Sequence, residues 1–229
     1  MNNIKLCIFD VDGVLVNSRA LHYPATRDAL AEYGFIYSRE DDDNFGTIPT
    51  RHKLHLLAEY GNISTDDIDD IWELKDTFAC EYFDDSILLN DDIKSLFGEL
   101  KNRGMRIALG SNARYTFLEK VINSLGVRDL VDFVTSAQDG KAKPDPYMYT
   151  NAMDKFLVSP DETIIFEDSQ VGRQAAYASR AWVYEVESYD ELSLGILNET
   201  DCPSGQFKWS KSINRKQSRT DSTLYRKWR

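Results

Sequence analysis

Cysteine, histidine and basic charge are all scarce in this chain of 229 residues. Cys7, Cys80 and Cys202 are odd in number and far apart, with no CxxC pair and no histidine set beside them. Neither a disulfide framework nor a zinc site is expected, and a reducing cytoplasm suits such usage. His52 and His55, three apart in a helical stretch, have no third ligand nearby. No segment approaches the roughly 18 consecutive apolar residues of a membrane helix. The opening MNNIKLCIFDVDG reaches an acidic pair without any long apolar stretch, so neither a span nor export is expected. Lys and Arg number 27 against 38 Asp and Glu, a net charge of −11, and such a body repels polyanions; nucleic acid is a disfavoured partner. The deficit is uneven. Residues 203–229 hold eight basic side chains and one acid, leaving 19 basic and 37 acidic in residues 1–202. With few apolar anchors, this tail reads as disordered or loosely docked; an arm for nucleic acid or another partner is the alternative.

What the chain has is enough apolar material for a core, 42% of its residues. Short β-prone runs at 4–9, 106–110, 131–135, 163–166 and 181–186 alternate with helical patterns, such as Ile93, Leu96, Phe97 and Leu100 closing at Gly104. That alternation predicts an α/β fold, a Rossmann-like parallel sheet covered on both faces. A βαβ unit takes roughly 30 residues, which suits the steps Ser111 to Lys143 and Lys143 to Asp168. Asp10 and Ser111 are far more widely separated, and the surplus is helical by pattern over 25–33, 50–60 and 65–83. The expected organisation is a core of 1–15 and 87–200, an inserted α-helical cap of 16–86, and the basic tail of 203–229. Pro24 either interrupts or starts the first cap helix. Acidic clusters such as Asp41-Asp42-Asp43 lack calcium-loop spacing and read as solvated loops and helix starts.

Ligands of such sheets bind beyond the carboxyl ends of the strands. Asp10 and Asp12 follow the first strand, Ser111 the second, and Glu167 and Asp168 another, while Lys143 lies in the loop before a helix. These residues suit phosphoryl chemistry. A carboxylate can attack phosphorus, provided a cation cancels the repulsion from the anionic phosphate. Asp10 and Asp168, with Glu167, offer oxygen ligands of the kind Mg²⁺ takes. Ser111, with Asn112 beside it at a helix start, can donate to phosphoryl oxygens, Lys143 can neutralise charge on the transferring group, and Asp12 can protonate the leaving oxygen and then activate water. Gly13 lets the backbone turn closely past a ligand.

The segments FDVDGVLVNS (9–18), ALGSNA (108–113), KAKPDPYMY (141–149) and FEDSQVGRQAAYA (166–178) resemble the four motifs of the haloacid dehalogenase superfamily. The position of the insert resembles the branch of phosphoglycolate phosphatase and β-phosphoglucomutase. The resemblance covers residues 4 to about 186 and implies Asp10 as nucleophile, Asp12 as general acid and base, Ser111 and Lys143 as phosphate binders, and Asp168 as the Mg²⁺ ligand. Asp10 and the backbone carbonyl of Asp12 complete the metal set. It further implies a Mg²⁺-dependent phosphatase of a small phosphorylated metabolite, a sugar phosphate, phosphoglycolate or nucleotide. A phosphomutase is the enzymatic alternative, and a non-catalytic binding protein acting through its tail the alternative of another class. Asp12 disfavours dehalogenase chemistry and phosphonoacetaldehyde hydrolysis, although Lys53 could serve the latter as a Schiff-base lysine. In the insert, His22 matches a histidine near the hinge of family members, and residues 47–51 resemble a substrate-facing helix start, which makes Arg51 a candidate for the substrate's non-reacting end. Two departures stand out: Asn17 where Asp is frequent, and Ser179-Arg180 where an Ala-Gly turn is usual.

Overall fold

The computed structural model describes residues 3–45, 48–83, 89–199 and 209–210. Five strands run parallel: β1 (Leu6–Phe9), β2 (Arg106–Ser111), β3 (Phe133–Ser136), β4 (Thr163–Glu167) and β5 (Trp182–Glu185), in the order β3-β2-β1-β4-β5. Phe9, the last residue of β1, lies opposite Leu109 of β2 and Phe166 of β4, so the carboxyl ends of the three strands lie side by side. A two-residue strand, β6 (Trp209–Ser210), pairs antiparallel with Val183 and Tyr184 at the outer edge. The expectation for the rest of the tail lies outside the described residues.

The strands are apolar on both faces because both faces are covered. Alternate residues of β1 leave on opposite sides, as period-two geometry requires. Cys7 and Phe9 pack with Phe97 and Leu100 of α5 (Asp92–Asn102) and with Phe117 and Val121 of α6 (Tyr115–Ser124). Leu6 and Ile8 pack with Met148 and Ala152 of α7 (Tyr147–Phe156) and with Ala175 and Ala176 of α8 (Gln170–Ala178). The rings of Phe9 and Phe166 stack at 4.4 Å across neighbouring strands beneath the site.

Between β1 and β2 the chain leaves the sheet and builds the helical cap: α1 (Arg19–Ala31), α2 (Arg39–Phe45), α3 (Thr50–Glu59) and α4 (Ile68–Glu81). Its own core gathers Leu30, Tyr37, Leu54, Leu57, Ile71 and Trp72. Val16, on the way out, bridges antiparallel to Leu89 on the way back, so both connections run side by side. Pro24 lies inside α1, which starts at Arg19 rather than near residue 25. The helix α2 falls where solvated loops or helix starts were expected. It buries no residue, and its start is fixed by Ser38, whose Oγ accepts from the Asp41 N–H at 3.1 Å while Asp41 Oδ2 accepts from the Ser38 N–H at 2.8 Å. No helix among the described residues is long and apolar enough to cross a membrane.

Candidate active site

The strand order reverses at β1. Connections run outward to β3 on one side and resume at β4 on the other, which opens a crevice at the carboxyl end of β1. Asp10 stands there, its N–H bonded to the Phe166 carbonyl at 2.9 Å. Lys143 Nζ reaches in from the loop before α7, 2.6 Å from Asp10 Oδ1 and 2.7 Å from Glu167 Oε2, and all three side chains are buried. The Tyr149 hydroxyl donates to Glu167 Oε2 at 2.6 Å, and the Ser169 N–H and hydroxyl donate to Oε1 at 3.1 and 2.9 Å. Ser169 Oγ also accepts from the Gly172 N–H at 3.0 Å and so caps α8. Both oxygens of Glu167 are therefore engaged by the protein itself.

The electrostatics follow from this crowding. Burial, then the Glu167 charge, pushes the Asp10 carboxyl well above the ordinary carboxylate range, against the pull of Lys143. Burial and Glu167 likewise push Asp168 up to about 7. Burial would also raise Glu167, but Lys143 and its hydrogen bonds bring it below its ordinary value. Burial disfavours the Lys143 ammonium, yet the Asp10 and Glu167 carboxylates outweigh it and hold that lysine firmly charged. One oxygen each from Asp10, Glu167 and Asp168 lies within 4.8 Å of the others. Such a set of hard oxygen donors, with two carboxyls whose ionised forms are disfavoured without a counter-charge, fits a divalent cation of the Mg²⁺ type. Since Glu167 is already saturated, Asp10 and Asp168 are the better donors.

Gly13 takes φ of +81°, and a Cβ there would overlap the Asp168 carboxylate, so the turn after β1 closes against the end of β4 only without a side chain. Asp12 faces the cap. Its Oδ1 accepts from the Ser18 hydroxyl at 2.5 Å and lies 3.4 Å from His22 Nε2, which is itself 3.1 Å from Ser18 Oγ. Burial would raise the Asp12 carboxyl, but His22, Ser18 and the charge of Lys75 reverse this and hold it well below the ordinary range. Ser111 Oγ, 3.4 Å from Asp12 Oδ2, accepts from the Ala113 N–H at 3.1 Å, and Asn112 Oδ1 accepts from the Lys143 N–H at 2.9 Å. Sequence-adjacent polar residues thus tie together the ends of β1 and β2 and the lysine loop.

A cavity of about 160 Å³ separates core and cap. Asp12, Asn112, Lys143 and Ser169 line its floor; His22, Thr50, Lys53, Trp72 and Lys75 line its cap side. Arg51, a candidate for the substrate's non-reacting end, is not among these lining residues. On α3 each residue advances about 100° around the axis; Lys53, Leu54 and Leu57 point inward, whereas Arg51 is half exposed and pairs with Asp69 at 2.9 Å. Sequence reasoning also passed over Ser18, Tyr149, Lys75 and Asp76. Lys75 and Asp76 are buried in α4 and paired at 3.0 Å, and Asp76 Oδ2 accepts from the Arg114 N–H of the core at 3.1 Å. Their signal was present: Ile68, Ile71, Trp72, Lys75, Asp76 and Ala79 keep one helical phase, so two charged residues occupy positions where apolar ones belong.

Fold and site define a capped α/β protein with a metal-capable acidic centre at the switch point of a parallel sheet. Residues 7–186 match the family described as haloacid dehalogenase-like hydrolase, and the chain belongs to that family. Among curated relatives, the phosphorylated carbohydrates phosphatase of Thermotoga maritima is 25% identical over 76% of this chain and 80% of its own. The fructose-1-phosphate phosphatase YqaB of Escherichia coli is 27% identical over 75% and 90%. Among solved structures, CbbY from Rhodobacter sphaeroides in complex with phosphate superposes with a TM-score of 0.73 at 22% identity, covering 85% of this chain and 99% of that one, a likeness of fold. The expectations of a hydrolase and of a parallel sheet with an inserted helical cap are met.

Proposed function

We propose that the chain is a Mg²⁺-dependent phosphatase that hydrolyses a small phosphate monoester through an aspartyl-phosphate on Asp10. The observation that carries the reading is the cluster of buried Asp10, Lys143 and Glu167 with half-buried Asp168 at the sheet's switch point, closed over by the cap. Relatives named for phosphorylated carbohydrates support a phosphorylated small metabolite as substrate. The cap is taken as residues 16–86 and the core as 1–15 and 87–200, with the bridge between Val16 and Leu89 as the hinge.

Asp10 and Asp168 would hold the cation, with the Asp12 carbonyl as a third donor. When bound, Mg²⁺ offsets the repulsion between the incoming phosphate and the Asp10 carboxylate. In the first step an Asp10 oxygen forms a bond to phosphorus as the ester P–O bond breaks, and Asp12 gives a proton to the leaving oxygen. A phosphate dianion next to Asp12 raises that carboxyl's proton affinity, against the hold of Ser18 and His22. Asp12 then takes a proton from the water that attacks the acyl phosphate, releasing phosphate and restoring Asp10. Lys143, Ser111 and Asn112 hold the phosphoryl oxygens, and Glu167 keeps Lys143 aimed at Asp10. The cap keeps bulk water from the site.

Phosphate release from a panel of small monoesters, with Mg²⁺ or EDTA, tests this. Release should depend on Mg²⁺ and fall by about a thousandfold or more in Asp10→Asn, the scale on which lost nucleophiles act. Release unchanged in Asp10→Asn overturns the mechanism. Isomerisation of a sugar phosphate without release makes the protein a phosphomutase instead.

A further inference from the structure

Tyr149 touches the acidic centre from below and does not line the cavity. It is fully buried in the first turn of α7, and its ring lies against β2, where a Cβ on Gly110 would come within 3.4 Å of it. The Lys143 ammonium lies 5.2 Å from the ring centre. Among the described residues the Tyr149 hydroxyl has one hydrogen-bond partner, Glu167 Oε2. A carboxylate offers about four lone-pair sites. Glu167 receives a donor for each: Tyr149 and Lys143 on Oε2, and the Ser169 N–H and hydroxyl on Oε1. On its other side the carboxylate rests on α8, where a Cβ on Gly172 would overlap it.

An oxygen of Glu167 nevertheless lies within 4.8 Å of oxygens of Asp10 and Asp168, near enough to join a cation held by those two. To turn a lone pair that way, Glu167 must loosen a donor. Lys143 has Asp10 as a second acceptor, whereas the buried Tyr149 hydroxyl would be stranded, which is costly in an interior closed to water. The outcome bears differently on different cations. Mg²⁺ keeps waters and takes one or two carboxylates, whereas Ca²⁺ gathers roughly six to eight oxygens and often binds carboxylates through both. A third carboxylate therefore helps Ca²⁺ more. Resting on the cation site of the phosphatase reading, we propose that Tyr149 is a positioning residue for metal choice: its hydroxyl holds Glu167 back from the cation and biases the centre toward Mg²⁺ over Ca²⁺.

Calorimetric titration of the full chain with Mg²⁺ and, separately, with Ca²⁺ tests it, in the native protein, Tyr149→Phe, Glu167→Gln and the double variant. Tyr149→Phe removes the hydroxyl and keeps the ring beside Lys143. In it the ratio of the Ca²⁺ Kd to the Mg²⁺ Kd should fall by about tenfold, the scale on which partners of metal ligands act. Glu167→Gln in the native chain, where that carboxylate is withheld, should leave the ratio within about twofold, but in the Tyr149→Phe background it should cancel the gain. A merely structural Tyr149 would lower the melting temperature and leave the ratio alone. A ratio unmoved in Tyr149→Phe, or a gain that survives Glu167→Gln, overturns the inference while leaving the phosphatase reading intact. Should Tyr149→Phe not fold, the native chain still decides: a ratio that rises well beyond twofold in Glu167→Gln shows that Glu167 already binds the cation, and overturns the inference. A native chain that binds neither cation overturns the inference and the metal-dependent reading together. A shifted ratio without phosphate release from any monoester removes the phosphatase reading alone.

Discussion

At Gly172 the space for a side chain is already filled by the Glu167 carboxylate. A methyl there must displace a group that holds Lys143 and Tyr149, so Gly172→Ala should cost about 2 kcal/mol, as overpacking of a filled interior does. Denaturant unfolding measures that loss. Phosphate release should fall by about a hundredfold as Lys143 moves off Asp10. Asp168 yields a prediction in pH. Its unfolded carboxyl gives up its proton near pH 4, while burial and Glu167 delay this to about 7 in the folded chain. Between those values unfolding releases a proton, so the metal-free protein loses stability as pH rises through the window. Asp12 and Glu167, held low, act oppositely, and their contribution is lost only as pH falls below about 4. The melting temperature of Asp168→Asn should fall less than that of the parent between pH 5 and 7.5, and Mg²⁺ should raise the parent's most at the upper end. Equal slopes in both proteins would remove Asp168 as the cause. The reacting set was legible because strand ends, an acidic pair and a lysine loop are local patterns. Ser18 was not, since its role comes from the turn that returns it to Asp12.

At the scale of elements, two helix ends depart from what the turn prefers. Leu157 closes α7 at φ +54°, and Arg180 follows α8 at φ +67°, both left-handed positions where glycine carries no Cβ penalty. The Ser179-Arg180 departure noted in the sequence therefore keeps the geometry of a glycine turn with a strained residue, aided by Ser179 Oγ donating to the Ala176 carbonyl at 2.6 Å. Leu157 is 93% exposed and Arg180 is also exposed, so little packing is lost on their removal. Leu157→Gly and Arg180→Gly should each stabilise the protein by about 0.5–1 kcal/mol, read from the denaturant midpoint at unchanged slope. Elements with an apolar period, such as α5 and α6, could be read directly from the sequence. The start of α1 was hidden by Pro24, whose signal as a helix starter masked the turn ahead of it, and α2 was hidden because it buries nothing and so leaves no periodic trace.

Across the whole molecule, cap and core meet through groups of very different exposure. Asp76 is buried, neutralises Lys75 and receives the Arg114 N–H, whereas the Arg114 guanidinium lies 5.1 Å from the centre of the Trp72 ring and 3.1 Å from Glu73, a largely exposed acid. The first contact is an internal ion pair whose rupture strands a charge; the second is an outer latch that water and salt can replace. Removing each should give opposite patterns. Asp76→Ala leaves Lys75 buried and unpaired and should lower stability by about 3 kcal/mol. Arg114→Ala keeps the backbone donor to Asp76 and should leave the unfolding midpoint nearly unchanged. It should raise KM about two- to fivefold, the value of one partly exposed ion pair, because the cap closes over its ligand less firmly. Added salt should narrow the difference between Arg114→Ala and the parent, since it screens the contact with Glu73 in the parent only. A KM gap that persists unchanged in high salt would place the effect in the stacking of Arg114 on Trp72 rather than in its charge.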